Sequence, residues 1–117
     1  HSSLHDALPI WEGEQLAVIG ALKLLDDKHG ELKSMRTAPN YLRRGVASLI
    51  LRHILQVAHD RCLHRLSLET GTQAGFTACH QLYLKHGFVD CEPFADYQLD
   101  PHSRFLSLTL CENNELP

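Results

Sequence analysis

Apolar residues recur at spacings of three and four through Val46, Leu49, Ile50, Ile54, Val57 and Ala58. That period predicts a helix over Val46–Cys62. Ala47, Leu51, Leu55 and Cys62 widen its apolar arc enough for it to lie flat on a sheet. A shorter helical pattern runs over Phe76–His86, with Phe76, Cys79, Leu82 and Tyr83 on one side. Gly87 is placed to end it in a left-handed cap. Elsewhere the period is two. Leu63–Thr70 and Arg104–Leu110 alternate, the second with Leu106, Leu108 and Leu110 turned inward. Leu16–Leu25 is an apolar run between the turn strings EGEQ and DDKHG, which favours a hairpin strand. Glu31–Thr37 alternates with neither face cleanly apolar, so it reads as a strand lining a site. Pro39 stops it, because proline cannot donate to a ladder. Pro9–Trp11 and Phe88–Cys91 read as shorter strands, Phe94–Leu99 continues or curls beyond Pro93, and His1–Leu8 carries little pattern.

The order is strand, strand, strand, helix, strand, helix, strand, strand. It predicts an α/β (α+β) fold, with a mixed, largely antiparallel sheet around a central strand–helix–strand unit. A length of 117 residues implies a single domain, 1–117, with its core over about 16–111. A net charge of −3 argues against general affinity for nucleic acid or membranes. No apolar run approaches the ~20 residues that a membrane-spanning helix needs. Cysteines at 62, 79, 91 and 111 form no CxxC pair, which reads as a reduced, cytoplasmic chain. His59, Cys62 and His64 match no zinc spacing, so no metal is expected. The chain begins at His1 rather than Met, which leaves room for a segment upstream.

Charge changes the picture where it is uneven. From Leu32 to His59 there is no acidic residue, while Lys33, Arg36, Arg43, Arg44 and Arg52 fall inside the window. At its middle a strand turns through Arg43-Arg44-Gly45 into the long helix. The first turn of a helix carries N–H groups without intrahelical partners, and the helix dipole adds partial positive charge there. Such a junction attracts a phosphate. It lacks the Gly-x4-Gly-Lys-Ser/Thr pattern of a nucleotide P-loop.

Three pieces resemble the GNAT superfamily of N-acetyltransferases. YLRRGVA, Tyr41–Ala47, looks like the family's coenzyme loop, with Gly45 and Ala47 in its last positions and Leu42 where Arg or Gln is usual. QLYLKHGF, Gln81–Phe88, is similar to its Leu-Tyr…Gly-Phe string. The order of elements matches as well. GELKSMRT, LSLETG and CEPFADY look like a small bacterial branch. The strand and helices that usually open the family have little counterpart here.

The resemblance implies transfer of an acetyl group from acetyl-CoA directly to an amine. Backbone N–H groups over Leu42, Arg43, Arg44, Gly45, Val46, Ala47 and Ser48 would cradle the pyrophosphate. Lys33–Thr37 would splay from Leu66–Thr70, and main-chain groups of Met35 and Thr37 would hold the pantetheine arm and polarise the thioester carbonyl. Tyr83 would be the general acid, since a phenol of pKa ~10 can protonate a leaving thiolate. Glu31 and Glu69 are both candidates for the base, and the residues do not choose between them. Cys79 reads as a core thiol rather than a nucleophile. Expected partners are a small-molecule or peptide amine, without nucleic acid or membrane, and a homodimer is left open. A CoA-binding regulatory or interaction module without turnover is the alternative.

Overall fold

The computed structural model describes residues 5–12, 15–37 and 45–110, with side chains over 21–33 and 47–110. Strands β1 (His5–Glu12), β2 (Gln15–Leu24) and β3 (His29–Thr37) come first. Helix α1 (Val46–Asp60) leads to β4 (Arg65–Gly71). A short 3-10 turn, Ala74–Phe76, opens α2 (Thr77–Lys85). The two-residue β5 (Val89–Asp90) and then β6 (Ser103–Thr109) follow. The sheet order is β1-β2-β3-β4-β6-β5. Every pairing is antiparallel except β3 with β4.

The expected order of elements therefore holds, with one correction. His5–Leu8 is not patternless: it is the first half of β1, and the sheet starts ahead of Leu16. Among the described residues β1 is an edge strand paired only with β2, which is where a strand tolerates Pro9. Of the two expectations for Phe94–Leu99, the curl holds: it forms a turn closed by the Tyr97 N–H donating to the Phe94 carbonyl at 3.0 Å.

Period-two alternation gives the sheet two unlike faces. Leu22, Leu32, Leu66, Leu68 and Leu106 point one way and are sealed under Ile50, Leu51, Ile54 and Ala58 of α1 and Tyr83 of α2. Each buried leucine is worth about 1.5–3 kcal/mol, so this face carries most of the fold's stability. The other face carries Lys23, Glu31, Ser67 and Ser107 in one row across β2, β3, β4 and β6. Loop residues 91–102 cover it through Phe94 and Tyr97, whose rings meet Phe105 at centroid distances of 6.0 and 5.6 Å. β6 is thus buried on both faces at its middle, not only at its leucines.

Candidate active site

β3 and β4 pair through His29↔Arg65, Gly30↔Leu66 and Glu31↔Ser67, and no further. Beyond Glu31 the strands part, as the expected splay requires. On its other side β3 advances from Lys33 to Arg36 while β2 advances only from Ala21 to Ile19, so β3 carries a bulge there. A bulge twists a strand and re-aims its amides. Met35 lies inside it and Thr37 just beyond, opposite Val18.

The parting opens a cavity of 540 Å³ that passes between the two faces of the sheet. From the helix side it is lined by Leu32, Leu68, Cys79 and Tyr83, and from the loop side by Glu31, Lys33, Glu69 and Tyr97. Tyr83, Glu31 and Glu69, three residues named from sequence, therefore share one cavity. Had pairing continued in register, Lys33 would stand opposite Glu69. The gap separates them, and neither has an ion-pair partner among the described residues.

Tyr83 is held by α2, which ends at Gly87 with a φ of 98°. Its ring packs against Phe88 at 5.7 Å, and the residue is only 5% exposed. The hydroxyl has no hydrogen-bond partner within the described protein and opens to the cavity. Burial, and then the neighbouring Cys79, push this phenol well above its ordinary range. It stays protonated and is free to donate. Burial also raises the Cys79 thiol, which disfavours the thiolate a covalent route would need.

The two carboxylates are each pinned by a neutral hydroxyl. Tyr97 donates to Glu31 Oε2 at 2.6 Å, and Ser103 donates to Glu69 Oε2 at 2.6 Å. Glu31 is 3% exposed and is not a surface carboxylate. It is the third residue of β3 rather than the first, and the last one paired to β4. The turn that delivers Tyr97 has Ala95 at φ 52°, a left-handed conformation that costs an L-residue about 1–2 kcal/mol. Beneath the carboxylates, His29 Nε2 lies 2.7 Å from Ser67 Oγ, Ser67 donates to Ser107 at 3.2 Å, and Arg65 Nε donates to Ser107 at 2.7 Å.

A second cavity, of 280 Å³, lies between the start of α1 and α2, lined by Gly45, Ala47, Ser48, Cys79 and Leu82 among others. Cys79 borders both cavities. Among the described residues no side chain caps α1 and no acid stands in its first turn, and the start of the helix borders this cavity. Gly45 precedes the helix at φ 74°, and a Cβ there would touch nothing. The left-handed turn, not crowding within the protein, calls for glycine. At Gly71 the reason is the reverse: a Cβ would stand 2.5 Å from the Phe76 ring, which borders the first cavity. Leu42, Arg43 and Arg44 lie outside the described residues, as do the side chains of Met35, Thr37 and Val46.

Sequence reasoning missed Tyr97 and Ser103. The only signal was CEPFADY, whose Phe94 and Tyr97 stand at turn spacing. Nothing in the chain pairs Tyr97 with a carboxylate 66 residues earlier.

Two cavities meet at one cysteine, one of them beside the start of α1, the other with a phenol and two carboxylates around a strand gap. A model of the acetyltransferase (GNAT) family matches residues 5–88. The chain is 95% identical over 108 residues to the uncharacterised N-acetyltransferase YedL of Escherichia coli (strain K12), covering 92% of this chain and 68% of that one. It is 54% identical over 100 residues to the uncharacterised N-acetyltransferase YsnE of Bacillus subtilis (strain 168), covering 86% and 66%. The chain thus spans about two thirds of the length of these relatives. A solved structure from Klebsiella pneumoniae, assigned as an acyl-CoA N-acyltransferase, superposes with a TM-score of 0.82 at 30% identity over 90% of this chain and 72% of that one. The chain belongs to the GNAT acetyltransferase family, whose members are acyltransferases that draw on acetyl-CoA. Among the described residues no helix is long and apolar enough to cross a membrane.

Proposed function

We propose that this chain transfers the acetyl group of acetyl-CoA directly to an amine, with Tyr83 as general acid and Glu31 as general base. The observation that carries the reading is the end of β3–β4 pairing at Glu31↔Ser67, which opens a cavity holding both groups. The donor enters on the helix face. The N–H groups of Val46, Ala47 and Ser48 receive its pyrophosphate, with Leu42, Arg43 and Arg44 completing the loop. Main-chain groups of Met35 and Thr37 face the gap from the unpaired edge of β3, and an amide of the bulge polarises the thioester carbonyl. The amine arrives from the loop face. Glu31 takes its proton, directly or through water, and Glu69 across the gap steadies its positive charge. Tyr83 returns a proton to the departing thiolate. Cys79, Cys62 and Cys91 are free thiols, which supports a reducing, cytoplasmic setting. The single domain runs through the whole of 1–117.

Thermal unfolding with and without ligand tests the first half. Acetyl-CoA raises the melting temperature, by an amount equal to about 2.7 kcal/mol at a hundredfold excess over its dissociation constant, and ATP does not. No shift at millimolar acetyl-CoA would defeat the reading. Thiol release over a panel of amines tests the second half. A melting shift without thiol release would leave a binding module instead.

A further inference from the structure

The cavity's loop-side wall contains a contact that the proposed reaction does not use. Tyr97 reaches from residues 91–102 to Glu31 and donates at 2.6 Å. We infer that Tyr97 is a positioning residue: it fixes the Glu31 carboxylate at the mouth of the strand gap, aimed to receive a proton from an incoming amine. This inference rests on the reading of Glu31 as the base.

Geometry supports it from three sides. Glu31 is the last β3 residue paired to β4, so its backbone is fixed while its side chain borders open space. Tyr97 is itself fixed, with its ring edge-on to Phe94 at 5.1 Å and against Phe105 at 5.6 Å. Phe94 is in turn packed on His29 at 5.9 Å. The turn that delivers the phenol holds Ala95 at φ 52°. Strain of this kind persists where the surroundings over-determine a conformation, and it clusters at functional sites.

The charge around Glu31 leaves the role to Tyr97. The groups facing it are His29 and Lys33 on β3, Lys23 opposite it on β2, Ser67 and Glu69 on β4, and Tyr97 from the loop. No ion pair joins Glu31 to Lys23, His29 or Lys33. Among the described residues, the one hydrogen bond to its carboxylate comes from the phenol. After burial, the Glu31 carboxylate is what raises the Tyr97 phenol above its ordinary range.

The test is Tyr97→Phe, which keeps the ring and removes only the hydroxyl. Thiol release from acetyl-CoA is followed with the fastest amine of a panel of primary amines. The expected result is a fall of about ten- to hundredfold in kcat with an unchanged KM for acetyl-CoA. An unchanged kcat, or a KM for acetyl-CoA that rises along with the fall, overturns the inference while the acetyltransferase reading stands. A readout without turnover accompanies it. In Glu31→Gln the ultraviolet titration gains tyrosinate signal at a pH below that of the wild-type chain, and the gain vanishes in Glu31→Gln/Tyr97→Phe. No gain overturns the coupling. If wild-type chain releases no thiol with any amine, the acetyltransferase reading fails and this titration alone decides whether the two groups are coupled.

Discussion

The two faces of the sheet are built from the same strands by opposite rules. On the helix face Leu22, Leu66, Leu68 and Leu106 are fully enclosed and make no polar contact. On the loop face the neighbouring residues Ser67, Glu69 and Ser107 are each held by a hydroxyl or a side-chain nitrogen. One face gains from exclusion of water, and its cost of change scales with volume. The other gains from direction, and its cost of change scales with which donor is lost. They meet only past Glu31, where the strands part and Tyr83 looks from one face toward Glu31 and Glu69 on the other.

The sharpest break of that comparison is Tyr83→Phe, because Tyr83 alone belongs to both halves. Its ring is core and its hydroxyl faces the cavity. Losing an acid typically costs about 10²–10⁴-fold in rate. Turnover should fall by that much while acetyl-CoA affinity and unfolding midpoint hold. Unchanged turnover would remove Tyr83 from the chemistry and return it to the packing.

Leu51→Ala probes the helix face alone. Leu51 is completely buried in α1. A Leu→Ala change in a core costs about 2–5 kcal/mol, depending on how far the cavity collapses. Urea unfolding measures it. A loss below 1 kcal/mol would mean that α1 is packed more loosely than its burial implies.

These two faces were not equally legible from sequence. The helix face was. Spacings of three and four put Ile50 and Ile54 on one stripe, and alternation put Leu66 and Leu68 on one side, because burial writes its period directly into the chain. Tyr83, Glu31 and Glu69 were also legible as residues, though not as one cavity. The loop face was not. Hydroxyl contacts leave no period: Ser103 and Tyr97 lie 34 and 66 residues from the carboxylates they hold, and any polar loop would have looked alike. His5–Leu8 was misread for a related reason. Pro9 and the polar residues His5 and Asp6 are permitted because β1 is an edge of the described sheet, and being an edge is a property of the sheet rather than of the strand.

Ser67→Ala probes the loop face in the same way that Leu51→Ala probes the other. Removing this fully buried hydroxyl leaves His29 without its partner and Ser107 without one of its donors, for about 1–3 kcal/mol. A loss above that of Leu51→Ala would invert the division between the faces. His29 adds a pH dependence to the same network. Burial first, and then the nearby Arg65, depress its pKa below the usual imidazole value. The unfolded chain therefore binds the proton more readily. Stability should fall as pH drops through about 6.5 toward the lower folded value, and should be fully present above it. In His29→Gln the urea midpoint should change less between pH 7.5 and 5.5; an equal change would exclude His29 as the source.

Ala95→Gly is the smallest effect and the most discriminating. Left-handed backbone costs alanine about 1–2 kcal/mol, and glycine escapes that cost but adds about 0.5–1 kcal/mol of unfolded-chain freedom. The balance predicts a gain in stability near 0.5–1 kcal/mol, read from the urea midpoint. On the helix face, a change that stabilises leaves the chemistry alone. Here the same turn aims Tyr97 at Glu31, and a freer turn holds that aim less firmly. The variant should therefore unfold later and turn over more slowly. If it gains both stability and rate, the strain at Ala95 serves neither the loop nor the carboxylate, and the two faces differ in packing alone.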